Sequence, residues 1–232
     1  MFKSRRGNVL HGWFFNNPAS RQVIVLCHGR SYNKTHEMPY VRDFLKHYNV
    51  LIFDFTGHGE NPYVPTSIGY HESYDVLGAV DWLDSRGFRE IVLMGHSMGG
   101  AAAIKAVAEY GNGPVRFKAV ITEGAFARLD DLLLRQVRRF CVPATVWRPA
   151  FRIAERIAGY KISENAPEHF MRNIRCPALI MQADRDSLAS GDSAQRLGMT
   201  AAGSSEVVTF DGQHDVPSAE VSANALRFLL GR

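Results

Sequence analysis

The stretch Ile91-Val92-Leu93-Met94-Gly95-His96-Ser97-Met98-Gly99-Gly100-Ala101-Ala102-Ala103 decides how this chain is read. It opens as an apolar run of strand type and closes in small residues that favour a helix packed tightly on a sheet. Between the two, Ser97 has a glycine two residues away on each side, Gly95 and Gly99. A strand that turns this sharply into a helix holds the serine in a strained backbone conformation. Its neighbours must lack bulk so that the two elements can pass. Oγ then projects clear of the sheet, while the Met98 N–H and the positive end of the following helix face any anion that forms beside it. The pattern reads as a nucleophile elbow. A glycine-rich turn with an ordinary serine is the plainer alternative, and the strand-then-helix flanks argue against it.

Length and composition narrow the field. The chain has 232 residues, of which 46% are hydrophobic, enough for one α/β domain with a buried core. The expected organisation is a single domain over 1–232 carrying a helical insertion at about 128–170. Three scattered cysteines, Cys27, Cys141 and Cys176, make neither a disulfide framework nor a zinc site. They point to reduced thiols and a cytoplasmic setting. Basic residues near the N-terminus have no apolar run behind them, so a secretory signal is not expected, nor is any stretch apolar for long enough to span a membrane. The formal net charge is +4. All of it is accounted for between Arg128 and Arg156, where seven arginines (128, 135, 138, 139, 148, 152 and 156) face three acids, Asp130, Asp131 and Glu155. Nucleic-acid binding calls for a broader basic face or a recognisable motif, and the sequence offers neither.

Strand-like runs fall at Val9 to Phe15, Val23 to Cys27, Val50 to Asp54, Ile91 to Met94, Ala119 to Thr122, Ala178 to Gln182 and Val207 to Phe210. Several are continuously apolar, as suits strands buried on both faces. Helical patterns lie between them, notably Tyr74 to Arg86, Met98 to Tyr110 and Val216 to Leu230. The alternation predicts an α/β fold with a mostly parallel sheet and helices on both faces. From Leu129 to about Phe170 it breaks into two helices. One carries Leu129, Leu133, Val137 and Phe140 near one face, and the other is expected to begin around Pro149. This interval reads as a small lid; two ordinary helices on the sheet with solvated arginines is the alternative.

A serine hydroxyl needs a base within hydrogen-bond reach, usually a histidine oriented by a carboxylate. The strand Ala178 to Gln182 runs into Ala183-Asp184-Arg185-Asp186, with two carboxylates just past its end. Val207 to Phe210 runs into Asp211-Gly212-Gln213-His214, a histidine ahead of the last helix. The order is serine, acid, histidine. No other histidine has metal-ligand spacing on a predicted helix, so no metal or other cofactor is expected. His28 and His58 read as turn braces, His96 as a residue packed near the site, and Asp54 as a loop organiser.

This order and spacing resemble the α/β-hydrolase fold superfamily of serine hydrolases over essentially the whole chain, closest to its bacterial esterase, lysophospholipase and aminopeptidase-like branch. His28-Gly29, Asp54-Phe55-Thr56-Gly57-His58-Gly59, Asp75 to Leu83 and Cys176-Pro177-Ala178-Leu179-Ile180 carry the resemblance further. It implies Ser97 as nucleophile, His214 as general base and Asp186 as acid. The acid sits where the family has G-x-x-D, with Ala183 in place of the glycine. Asp184 and Glu123 are the fallback acids. The resemblance also implies an oxyanion hole built from the backbone N–H groups of Arg30 and Met98. Arg30 departs from the glycine, aromatic or small residue usual there. Its guanidinium would bias the site toward anionic substrates; the plainer reading turns it into solvent. The expected activity is cleavage of carboxylic esters or thioesters of small or medium acyl groups, the lid's apolar faces and arginines suggesting lipid-like or acidic ones at a membrane surface without stable insertion. Peptidase, aminopeptidase or acyltransferase chemistry on the same residues is the alternative, as is a non-catalytic binding protein of the same fold, against which the complete Ser97, Asp186 and His214 set argues.

Overall fold

A computed structural model describes residues 1–189, 191–214 and 216–231. A short antiparallel pair, β1 (Phe2–Lys3) and β2 (Val9–Leu10), precedes a seven-stranded sheet. The sheet is built from β3 (Gly12–Phe15), β4 (Gln22–Cys27), β5 (Asn49–Phe53), β6 (Glu90–His96), β7 (Arg116–Glu123), β8 (Ala178–Ala183) and β9 (Ser205–Phe210). Their spatial order is β3-β5-β4-β6-β7-β8-β9. Only β3 runs antiparallel to its neighbour, and the other pairings are parallel.

Side-chain alternation along the inner strands explains why they read as unbroken apolar runs. Val23, Val25 and Cys27 of β4, with Ile91 and Leu93 of β6, enter one core with α2 (Ser73–Asp84) and α3 (Met98–Glu109). Ile24 and Leu26, with Val92 and Met94, enter the core on the opposite face with α1 (Met38–Phe44) and α8 (Ala219–Leu230). Each residue therefore lands in a core whichever way it points, so helices cover both faces.

Three expectations are adjusted. The run Val9 to Phe15 is two strands, because the His11 carbonyl accepts from the Asp54 N–H and its own N–H donates to Asn61 Oδ1, which takes His11 out of the ladder. The last helix starts at Ala219 rather than Val216, since Ser218 caps it by accepting from the Glu220 N–H. The second helix of the Arg-rich interval does not begin at Pro149. After α4 (Leu129–Arg139), α5 spans Ala144–Ala158, with Pro143 at its N-terminal boundary and Pro149 inside it. Pro143 has the extended backbone that leads into a helix, and Pro149 leaves the Thr145 carbonyl without its usual intrahelical donor. Phe151 and Ala158 of α5, with Leu132 and Leu133 of α4, rest on a small third core of Ala101, Phe126, Leu129, Tyr160 and Ile162. The short α6 (Pro167–Met171) and α7 (Gly191–Thr200) complete the fold.

In this topology the C-terminal ends of β4, β6, β7, β8 and β9 lie side by side. In open parallel sheets such ends are where ligands bind.

Candidate active site

Ser97 sits between β6 and α3 with φ 49° and ψ −112°, outside the regions an L-residue prefers. What holds it there is the absence of side chains around it. A Cβ on Gly95 would lie 2.3 Å from the Gly99 backbone, and one on Gly99 would lie 2.2 Å from the Cys27 carbonyl oxygen. The Ser97 N–H donates to the Glu123 carbonyl at 2.8 Å, tying the turn to the end of β7. Met98 opens α3, so its N–H is among the helix donors that lack an intrahelical acceptor.

Ser97 Oγ lies 3.0 Å from His214 Nε2, and His214 Nδ1 lies 2.7 Å from Asp186 Oδ2. Asp186 lies in the loop just past β8, its side chain only 1% exposed. Each of its oxygens is occupied: Oδ1 accepts from the N–H groups of Leu188 and Ala189, both at 2.8 Å, and Oδ2 accepts from Gln182 Nε2 at 2.7 Å besides facing His214. A carboxylate held by this many donors stays aimed at the imidazole.

The other acids are engaged elsewhere. Asp184 Oδ1 accepts from the Gly212 N–H, pinning the β8 and β9 loops together, which is the work of a turn residue. Glu123 is buried with Oε2 3.7 Å from His96 Nε2, and Glu37 Oε2 lies 3.1 Å from His96 Nδ1. His96, stacked on Tyr40, thus sits between two buried carboxylates behind the elbow. Burial pushes the Glu37 carboxyl up, but His96 and His36 pull it down to about 2. Asp54 organises a loop, accepting from the Lys34 N–H, Lys34 Nζ and the Glu60 N–H. His28 braces another: Nδ1 lies 2.7 Å from the Gly29 carbonyl and Nε2 accepts from the Phe55 N–H, while burial pushes its pKa down to about 4. His58 Nδ1 lies 3.1 Å from the Thr56 carbonyl.

Two residues at the site were not anticipated. Gln182, the penultimate residue of β8, steadies Asp186. Gly124, with φ 62°, lets β7 end against the imidazole, for a Cβ there would stand 3.0 Å from His214 Nδ1. A glycine directly after a buried strand end is the signal for the latter; Gln182 reads in sequence as one polar residue in an apolar strand.

Ser97 and His214 open into a cleft of about 660 Å³. Ile68, Met98, Phe126, Leu132, Leu133 and Leu188 supply its apolar wall. Arg30, Arg185, Gln136 and Gln213 supply its polar side, and Arg185 is paired with Asp211. A cleft of about 720 Å³ at the opposite strand ends, around Gln22, Arg116 and Lys118, holds neither serine nor histidine.

The fold and this site define a class: the chain belongs to the alpha/beta hydrolase family, whose model matches residues 24–224. It is 27% identical over 202 residues to the uncharacterized protein YqkD of Bacillus subtilis (strain 168), covering 84% of this chain and 65% of YqkD. It is 27% identical over 195 residues to the lysophosphatidylserine lipase ABHD12 of Mus musculus, covering 80% of this chain and 47% of that protein. The chain thus spans less than two thirds of either relative. Among solved structures, the Pyrococcus furiosus esterase Pf2001 superposes with a TM-score of 0.77 at 21% identity, over 99% of this chain and 89% of that one. Among the described residues, no helix is long and apolar enough to cross a membrane.

Proposed function

We propose that this protein is a serine hydrolase that cleaves carboxylic esters or thioesters through an acyl-enzyme, with Ser97 as nucleophile, His214 as general base and Asp186 as the acid. The observation that carries the reading is one imidazole bridging the two others, 3.0 Å from Ser97 Oγ and 2.7 Å from Asp186 Oδ2.

Each step follows from that placement. His214 Nε2 takes the Ser97 proton as Oγ bonds to the substrate carbonyl carbon, and the electron pair moves onto the carbonyl oxygen. The N–H groups of Met98 and Arg30 receive that oxyanion. Asp186 stabilises the imidazolium and fixes its tautomer. The imidazolium then protonates the departing alcohol or thiol as the carbonyl re-forms, leaving Ser97 acylated. Water attacks the acyl-enzyme with His214 again as base, releasing the acid and restoring the serine.

The apolar wall formed by Ile68, Phe126, Leu132, Leu133 and Leu188 suits an acyl chain, and Arg30 on the polar side suits an acid or headgroup. The esterase and lipase names among the relatives point the same way. The three free thiols fit a reducing compartment such as the cytoplasm.

A panel of p-nitrophenyl esters of increasing chain length, with acyl-CoA and aminoacyl amides, tests the reading on wild type and Ser97→Ala. Turnover of esters or thioesters by the wild type alone is expected. Turnover of amides alone would replace the ester reading with a peptidase one.

A further inference from the structure

Helix α5 is unusual for a segment of a folded chain, because none of its fifteen residues is buried. Its inward side, with Trp147, Phe151 and Ala158, is half covered by the rest of the molecule. A second apolar stripe faces away. Val146, Ala150, Ile153 and Ile157 recur at helical spacing, with Val146 58%, Ile153 57% and Ile157 68% exposed. Phe140, in the turn that leads into this helix, is 72% exposed.

Arginines border this stripe. Arg148, Arg152 and Arg156 follow one another at four-residue intervals along the same helix, and Arg138 and Arg139 end α4 beside Phe140. The three acids of the segment are all engaged elsewhere. Asp130 holds Arg128 through two hydrogen bonds, Asp131 holds Arg196, and Glu155 accepts from the Ile162 N–H. Among the described residues, no carboxylate pairs with Arg138, Arg139, Arg148, Arg152 or Arg156.

We infer that the α4–α5 face docks on an anionic lipid surface. The apolar stripe would enter the headgroup boundary, and the five arginines would engage lipid phosphates. An amphipathic helix that combines large apolar side chains with arginines lies in such an interface. Arginine binds phosphate oxygens in pairs where lysine offers a point charge. A second copy of this chain is a poor occupant, because a two-fold contact across the stripe sets one row of arginines against another. The face also adjoins the catalytic cleft: Phe140 follows the helix whose Leu132, Leu133 and Gln136 line it, so a docked molecule presents that cleft near the lipid.

The inference stands apart from the hydrolase reading, and its test is vesicle flotation with the full chain. Wild type should rise with phosphatidylcholine vesicles containing phosphatidylglycerol, stay behind with pure phosphatidylcholine, and lose binding as salt rises. Arg148→Gln/Arg152→Gln/Arg156→Gln should weaken partitioning roughly hundredfold, and Val146→Ser/Ile153→Ser roughly tenfold. Both should keep wild-type hydrolysis of a short, water-dissolved ester and wild-type thermal melting, which separates lost docking from lost folding or lost catalysis. A control that removes equal charge elsewhere, Arg21→Gln/Arg42→Gln/Arg172→Gln, should bind as wild type does. No binding to the anionic vesicles, or equal loss in the control, would overturn the assignment. So would a wild-type dimer in sedimentation velocity that Val146→Ser/Ile153→Ser dissolves, since a second copy would then cover the stripe.

Discussion

Gln182 Nε2 donates a 2.7 Å hydrogen bond to Asp186 Oδ2, the same oxygen that faces His214 Nδ1. The amide therefore fixes the direction from which the carboxylate meets the imidazole, although it touches neither Ser97 nor the cleft. Because Asp186 Oδ1 is already taken by two backbone N–H groups, Gln182 is the only other described side chain hydrogen-bonded to that carboxylate.

With Asp186 in its proposed role, Gln182→Leu should lower kcat for a fitting ester roughly ten- to a hundredfold, the effect of losing one hydrogen bond to the group that orients the base. KM should change little, because the side chain lines no part of the cleft. Steady-state kinetics would show this split, and Gln182→Asn, whose shorter amide falls short of Asp186, should resemble Gln182→Leu. Wild-type kcat in both variants would mean that the two backbone donors aim Asp186 alone.

Asp186→Asn should lose about four orders of magnitude in kcat, as replacing the buried acid of a serine triad does by stabilising the wrong imidazole tautomer. Asp184→Asn and Glu123→Gln should keep rates within about tenfold of wild type, since their carboxylates face the Gly212 N–H and His96 instead. The reverse ranking would move the acid to one of those two residues.

Burial pushes the Asp75 carboxyl from 3.8 up to about 6, against hydrogen bonds from Ser4 and from the Thr56 N–H and hydroxyl. Between those values the folded chain holds a proton that the unfolded chain has released. Stability therefore falls as pH rises through this window. Asp75→Asn removes that fall, so the variant should gain about 2 kcal/mol relative to wild type as pH is raised from 4 to 7. His28, pushed down to about 4 by burial, titrates in the opposite sense in both proteins and cancels in the difference. Urea denaturation of the two proteins across this range checks it; a pH-independent difference would place the proton elsewhere.

Much of the arrangement was legible because it rests on local rules. Gly95 and Gly99 mark the elbow by backbone contact alone, and the strand ends at Ala183 and Phe210 carry Asp186 and His214 to the side of the sheet where Ser97 stands. The boundary of α5 was misplaced because Pro149 suits a first helical turn, yet the chain tolerates it inside a helix that is barely packed. The division of Val9 to Phe15 depends on Asn61 and Asp54, residues remote in sequence that claim the His11 backbone. Gln182 and Gly124 were unreadable for the same reason, since their importance comes from which strand lies beside which. The His96, Glu37 and Glu123 cluster likewise brings together three separate elements.

The proposed chemistry depends on Ser97 acting as a nucleophile activated by His214. A fluorophosphonate probe, followed by mass spectrometry of the labelled peptide, measures this directly without knowledge of the substrate. Covalent labelling should fall on Ser97 in the folded wild type, vanish in Ser97→Ala and slow by at least about a hundredfold in His214→Ala. Folded wild-type protein that leaves Ser97 unlabelled, or that labels equally fast without His214, would contradict the account.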